Sequence, residues 1–159
     1  MNKALLLERI RDALRADLAE ARRLAKETAQ AANHPEARPE NDKDTRKIEL
    51  SYLAAGQASR AAELDASLSL LGALEPAPFD GDQPLRAGAL VALDIDGKPE
   101  RVFLSPAGGG LTIADGDSTI RVVTPSSPLG RALLGKTVGD AFEFDAAGRR
   151  RDVEIVGVE

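Results

Sequence analysis

The sequence predicts an α+β protein in two parts: an N-terminal antiparallel coiled-coil helical hairpin and a C-terminal antiparallel sheet domain with one short helix. Three observations predict it. Apolar residues recur every three or four positions through about the first seventy residues. A single loop carrying Pro35 and Pro39 interrupts that pattern. Beyond Gly88 the apolar period drops to two.

The first helix carries its apolar series on Leu7, Ile10, Leu14, Leu18, Ala21, Ala25, Thr28 and Ala32. The second carries Leu50, Ala54, Ala58, Ala61, Leu64, Leu68 and Leu71. Both series are amphipathic-helix patterns with charges off the stripe. Large residues come early in the first series and late in the second. Folding the chain back therefore sets Leu against Leu at one end and Ala against Ala at the other, as in an antiparallel coiled coil. At roughly 1.5 Å per residue, arms of about thirty residues reach about 45 Å.

The break is "HPEARPENDKDTRK", residues 34–47. Neither proline can continue a helix interior. Asn41 or Asp42 can cap the returning helix, with Asp42 and Asp44 favoured in its first turn by the macrodipole. The stretch reads as a solvated turn or as an acidic tip presented by a rigid arm.

"EPAPFDGDQPLRAG", residues 75–88, reads as a linker. The predicted organisation is a hairpin over 1–75 with its tip at 34–44, a linker over 76–88, and a sheet domain over 89–159. "ALVALDI", "ERVFLS", "LTIAD", "TIRVVT", "AFEFD" and "DVEIVGV" supply six short strands. The turns between them hold "DIDGK", "PAGGG", "DGDS" and "AAGRR". One helix interrupts the strands: Ser127 is its N-cap, Pro128 its first residue and Gly135 its stop.

Composition narrows the function classes. The formal net charge is −5, which disfavours general nucleic-acid binding by counterion release. Aromatics are confined to Tyr52, Phe79, Phe103, Phe142 and Phe144, too few for a base-stacking platform. With no cysteine and only His34 as histidine, a self-contained zinc site or a Ser/His triad is not available. The N-terminal apolar patch is only four residues long, too short for a signal peptide or a membrane span, so a cytoplasmic protein is expected.

Weaker signals have plainer readings. Gly108–Gly110 precedes no helix pattern, so it reads as a hairpin loop rather than a phosphate loop. "DIDG" lacks the later ligands of a calcium loop and reads as a β-turn. "DKD" at 42–44 could share a hydrated divalent ion with a partner. "GRRRD" at 148–152 is a charged hairpin end or a partner contact. Arg11, Arg15, Arg22 and Lys26 lie along one helix face among Glu8, Asp12, Glu20 and Glu27. They read as a mixed solvated face or as a basic patch facing RNA or a partner protein. No enzyme active site can be assembled within the chain alone.

"SPLGRALLGKTVGD", residues 127–140, resembles the C-terminal signature of the bacterial GreA/GreB factors, and the likeness continues through "FEFDAAGRRRDVEIVGVE". The resemblance implies a coiled coil followed by an FKBP-like domain. It implies a monomeric accessory factor, not an enzyme, that binds RNA polymerase through the globular domain, with Ser127, Pro128, Arg131, Lys136 and Asp140 as contact candidates. The hairpin would enter the polymerase's secondary channel. Its tip carboxylates Glu40, Glu36, Asp42 and Asp44 would act in the polymerase site, Glu36 and Glu40 sharing a catalytic Mg²⁺, while the polymerase cleaves the extruded 3′ end of a backtracked transcript. No membrane partner is implied, and the factor would hold no cofactor of its own.

Two departures from the family pattern stand in the tip. Where the family has Gly-Asp-x-x-Glu-Asn, this chain has Glu36 four residues before Glu40-Asn41. After Asn41 it has "DKDTRK" where the family has an Ala, an acid and a Tyr. The alternative reading is therefore a Gre-like paralogue that occupies the channel and modulates polymerase without stimulating cleavage. Prolyl isomerase activity and a coiled-coil adaptor for an unrelated partner are the remaining readings.

Overall fold

The computed structural model describes residues 2–34, 45–146 and 148–159. It contains α1 (Lys3–Asn33), α2 (Arg46–Gly72), β1 (Leu90–Ile95), β2 (Lys98–Leu104), β3 (Thr112–Asp115), β4 (Ser118–Val123), α3 (Pro128–Leu133), β5 (Ala141–Ala146) and β6 (Arg149–Val158). The chain forms two compact units, one of residues 1–11 with 69–159 and the other of residues 12–68.

The unit of residues 12–68 is a helix pair. Every predicted position of the α1 stripe is buried or half-buried, with Leu14, Leu18, Ala21 and Ala32 buried outright. On α2 the inward series is Leu50, Ala54, Gln57, Ala61, Leu64 and Leu68. Ala58, expected in that stripe, is exposed. A period of 3.6 leaves positions 57 and 58 equally eligible between Ala54 and Ala61, and the helix turns the Gln stem inward. Arg22 pairs with Asp65 across the helices at 3.0 Å. Nearer the base, Arg11 donates to the Leu71 carbonyl at 2.9 Å, so early α1 residues meet late α2 residues and the helices are antiparallel.

The caps proposed at Asn41 or Asp42, and the first-turn role of Asp42 and Asp44, lie outside the described residues. The described part of α2 starts after Thr45, whose hydroxyl donates to Glu49 Oε1 at 2.9 Å. Glu49 is the acid of the first turn, where the macrodipole favours it.

The other unit is built on a six-stranded sheet in the order β3-β4-β2-β1-β6-β5. The strands are those expected, but the sheet is mixed rather than wholly antiparallel, because β2 and β4 pair in parallel. After β2 the chain runs out to the edge as β3. The β3–β4 hairpin then folds β4 back between β3 and β2. Period-two patterning identifies a strand, but it carries no record of which neighbour the strand chooses.

The sheet is buried on both faces where β1, β2 and β4 lie side by side. One face carries Val91, Leu93, Ile95, Val102, Leu104, Val123, Val153 and Ile155, packed with Leu129 and Leu133 of α3 and Leu85 of the preceding segment. The opposite face carries Leu90, Phe103, Ile120 and Val122, none more than 2% exposed. The base of the hairpin, in the same compact unit, buries Leu6, Leu7, Ile10 and Leu71 to 1% exposure or less. Arg9 donates to the Ala114 carbonyl of β3 at 2.7 Å and so ties the start of α1 to that sheet edge.

Candidate functional site

The 127–140 segment is built from the residues that also carry its signature. Ser127 caps α3: its Oγ accepts from the Gly130 N–H at 3.0 Å and donates to the Thr124 carbonyl at 2.8 Å. Pro128 takes the first helical position, where its missing N–H costs nothing. Gly130 is required by contact, since a Cβ there would lie 2.0 Å from the Thr124 carbonyl oxygen. Gly135 ends the helix at φ +78°. Asp140 Oδ2 accepts the Thr137 N–H at 2.8 Å and closes the last turn of the motif.

Three of the five contact candidates therefore hold the loop together: Ser127, Pro128 and Asp140. The other two differ. Arg131 is exposed at the end of α3. The Lys136 ammonium lies 4.9 Å from the centre of the Phe142 ring. Leu134 and Val138, which sequence reading passed over, are 39% and 36% exposed. A cleft on this domain is lined by Gly109, Val123, Thr124, Ser127, Leu129 and Phe144.

The arginines of the basic face of α1 are ion-paired within the molecule. Arg11 bonds to Glu8 and to the Leu71 carbonyl, Arg15 to Asp12 at 2.8 Å, and Arg22 to Asp65. Arg23, not singled out before, donates to both Glu20 and Glu27. That bond holds the Glu20 carboxyl below its usual range and raises the guanidinium further. Lys26 is exposed. Such exposed pairs add little stability, and what they do is hold these charges in a solvated network.

The tip carboxylates Glu36, Glu40, Asp42 and Asp44 lie outside the described residues. Flanking them, His34 is exposed at the end of α1, with its N–H on the Ala31 carbonyl. On the returning side Ile48, Tyr52 and Leu53 stand 57%, 76% and 54% exposed. The signal for this surface was present in the sequence: Leu50 to Ser59 holds no charged residue.

The remaining motifs are structural. Asp96 and Gly97 both take positive φ, 52° and 79°, as a two-residue hairpin turn demands, and Asp94 Oδ1 accepts the Gly97 N–H at 2.7 Å. Asp96 Oδ1 accepts the Asp152 N–H at 2.9 Å. That bond, with the Arg151 ion pair beside it, holds the Asp96 carboxyl below its ordinary range. In "GRRRD", Arg150 pairs with Glu143 at 2.9 Å. Among the described residues no group of three or more His, Cys, Asp or Glu is placed to hold a metal ion. No described helix is long and apolar enough to cross a membrane.

Comparison with known proteins gives the segment its affiliation. Residues 111–159 match the family described as transcription elongation factor, GreA/GreB, C-term. The transcription elongation factor GreA of Cereibacter sphaeroides is 35% identical over 100 residues, covering 62% of this chain and 62% of that protein. The GreA of Jannaschia sp. is 29% identical over 136 residues, covering 85% and 80%. Against the C. sphaeroides relatives the chain spans 60–62% of their length. Among solved structures, the GreA factor homolog 1 protein of Thermus thermophilus matches at 22% identity over 96% of this chain and 94% of that one, with a TM-score of 0.39. The likeness to the GreA/GreB factors is thus carried by the C-terminal part of the chain, residues 111–159.

Proposed function

We propose that this protein is a transcription elongation factor that docks on RNA polymerase through its sheet domain and inserts the hairpin into the secondary channel. There its tip stimulates cleavage of backtracked RNA. The observation that carries the reading is the joining of a GreA/GreB C-terminal domain to two long antiparallel helices whose connection is rich in carboxylates. Exposed Arg131, Leu134 and Val138 and half-buried Lys136 are the docking side chains in this reading, and Ser127, Pro128 and Asp140 fix the loop that presents them.

Glu40 and Glu36 are the residues that would approach the Mg²⁺ of the polymerase, with Asp42 and Asp44 behind them. Carboxylate oxygens fit such an ion, which needs only one or two protein ligands and keeps its waters. When bound, the ion supplies charge neutralisation for an in-line phosphodiester displacement. The chain's own task is to carry the carboxylates there and exclude alternatives.

A second reading is favoured by the tip sequence itself. The four-residue spacing from Glu36 to Glu40 and the "DKDTRK" that follows suit a factor that occupies the channel and inhibits polymerase without cleavage. The deciding experiment is RNA cleavage in stalled, backtracked elongation complexes with and without the protein at saturating Mg²⁺. Shortened transcripts establish the first reading. Slowed elongation with intact transcripts establishes the second, and no effect of either kind removes both.

A further inference from the structure

The proline-rich stretch 76–88 has the composition of a flexible tether, yet it is fastened along its length. Leu85 exchanges backbone bonds with the loop after α3: its N–H donates to the Lys136 carbonyl at 2.7 Å, and its carbonyl accepts from the Gly135 N–H at 2.9 Å. The Val138 N–H donates to the Gly81 carbonyl at 3.3 Å, and the Gly88 N–H to the Leu104 carbonyl at 2.8 Å. At the other end Lys3 of α1 donates to the Ala77 carbonyl. The Phe79 ring packs on the sheet's α3-side core. It has two cations at its face, Lys3 and Arg86, each 4.9 Å from its centre. Aromatic faces attract cations at this range. The division between the compact units falls instead within the helices, at residues 11/12 and 68/69.

We infer that residues 76–88 are a buckle and not a hinge, and that Phe79, Lys3 and Arg9 are positioning residues that lock the base of the hairpin to the sheet domain. Phe79 joins α1 to the segment before β1, and Arg9 joins it to β3. Any swing of the hairpin then has to be taken up by bending the two helices, which are stiffer than a proline-rich tether. The lock itself is independent of the proposed function; its consequence for the tip rests on that reading.

The test is amide hydrogen exchange on the full-length protein with Phe79→Leu and Phe79→Tyr. Leu keeps apolar bulk and loses the ring face, whereas Tyr keeps it. In the wild type the Leu85 and Val138 amides should be protected. In Phe79→Leu they should exchange about three- to tenfold faster, with Phe79→Tyr close to wild type. Exchange in Phe79→Leu as slow as in the wild type overturns the lock. In the polymerase assay Phe79→Leu should compete for polymerase within about twofold of wild type while its tip acts more weakly. Full tip action in a variant whose 76–88 amides have opened would overturn the positioning role. If the wild type has no effect on polymerase at all, the functional reading fails and the exchange result still decides the lock.

Discussion

Gly130 shows how a residue can look functional and be structural. Its place in the family-like signature invites a binding role, but the space beside its Cα is already filled by the Thr124 carbonyl, 2.0 Å from where a Cβ would go. Gly130→Ala must therefore displace backbone, and overpacking of this kind costs about 1–3 kcal/mol or more. Chemical denaturation should show that loss, while Arg131→Ala, at an exposed site, should leave stability within about 0.5 kcal/mol and weaken polymerase binding instead. A second residue-scale prediction concerns Asp96, whose carboxyl is held low by the Asp152 N–H and by Arg151. A depressed folded pKa stabilises above the unfolded value, ordinarily 3.8, and that contribution is lost as pH falls through the lower folded value. Asp96→Asn should thus be less stable than wild type at neutral pH, with the difference shrinking below about pH 4. A stability difference that persists unchanged into stronger acid would assign the effect to the turn alone. At the tip, Glu40→Ala should bind polymerase normally and lose on the order of 10²–10³ in cleavage rate, with Asp42→Ala and Asp44→Ala losing less. Cleavage by Glu40→Ala at the wild-type rate would move the search to the Asp42/Asp44 pair.

For elements, the helices were legible and the pairing of strands was not. The α1 stripe was readable because large apolar residues recur without ambiguity, from Leu7 to Leu18. The α2 stripe was readable only in part, since a run of small residues from Ala54 to Ala61 does not say which face is inward, and Gln57 took the place expected of Ala58. The β2–β4 pairing was invisible because both partners alternate alike and their register depends on where the β3 hairpin folds back. Among the docking candidates, Ser127, Pro128 and Asp140 each hold the loop, whereas exposed Leu134 and Val138 carry no pattern a sequence would reveal. Ala21 is 5% exposed midway along α1, and Ala61 is half-buried on α2. A proline at either position removes a helix hydrogen bond and kinks the arm, at about 3 kcal/mol or more. The sheet domain should stay folded, so polymerase binding should weaken moderately while tip action disappears. Full tip action in Ala21→Pro would show that arm straightness is not what delivers the carboxylates.

Considered as a whole molecule, the protein does not divide where its composition does. A cut at residue 76 follows the prolines, but the unit that holds the sheet includes residues 1–11 and 69–75. Leu6, Leu7, Ile10 and Leu71 are each buried to 1% exposure or less, and burying an aliphatic side chain of that size contributes about 1.5–3 kcal/mol. Four of them together match the roughly 5–15 kcal/mol net stability of an ordinary domain. The fragment 76–159 should therefore lose the apolar side chains that the hairpin base contributes to this unit, bind hydrophobic dyes and fail to unfold cooperatively. A chain that keeps residues 1–11 and 69–159 and replaces 12–68 by a short Gly/Ser loop should behave differently. Arg11 reaches the Leu71 carbonyl at 2.9 Å, so the loop has little distance to span. That shortened protein should unfold in one transition, compete with the full-length factor for RNA polymerase and leave transcripts uncleaved, because the anchor is retained and the tip is gone. If instead 76–159 alone folds with the same midpoint and competes equally well, the hairpin base is dispensable to the anchor, and the buried leucines of α1 serve only the helix pair.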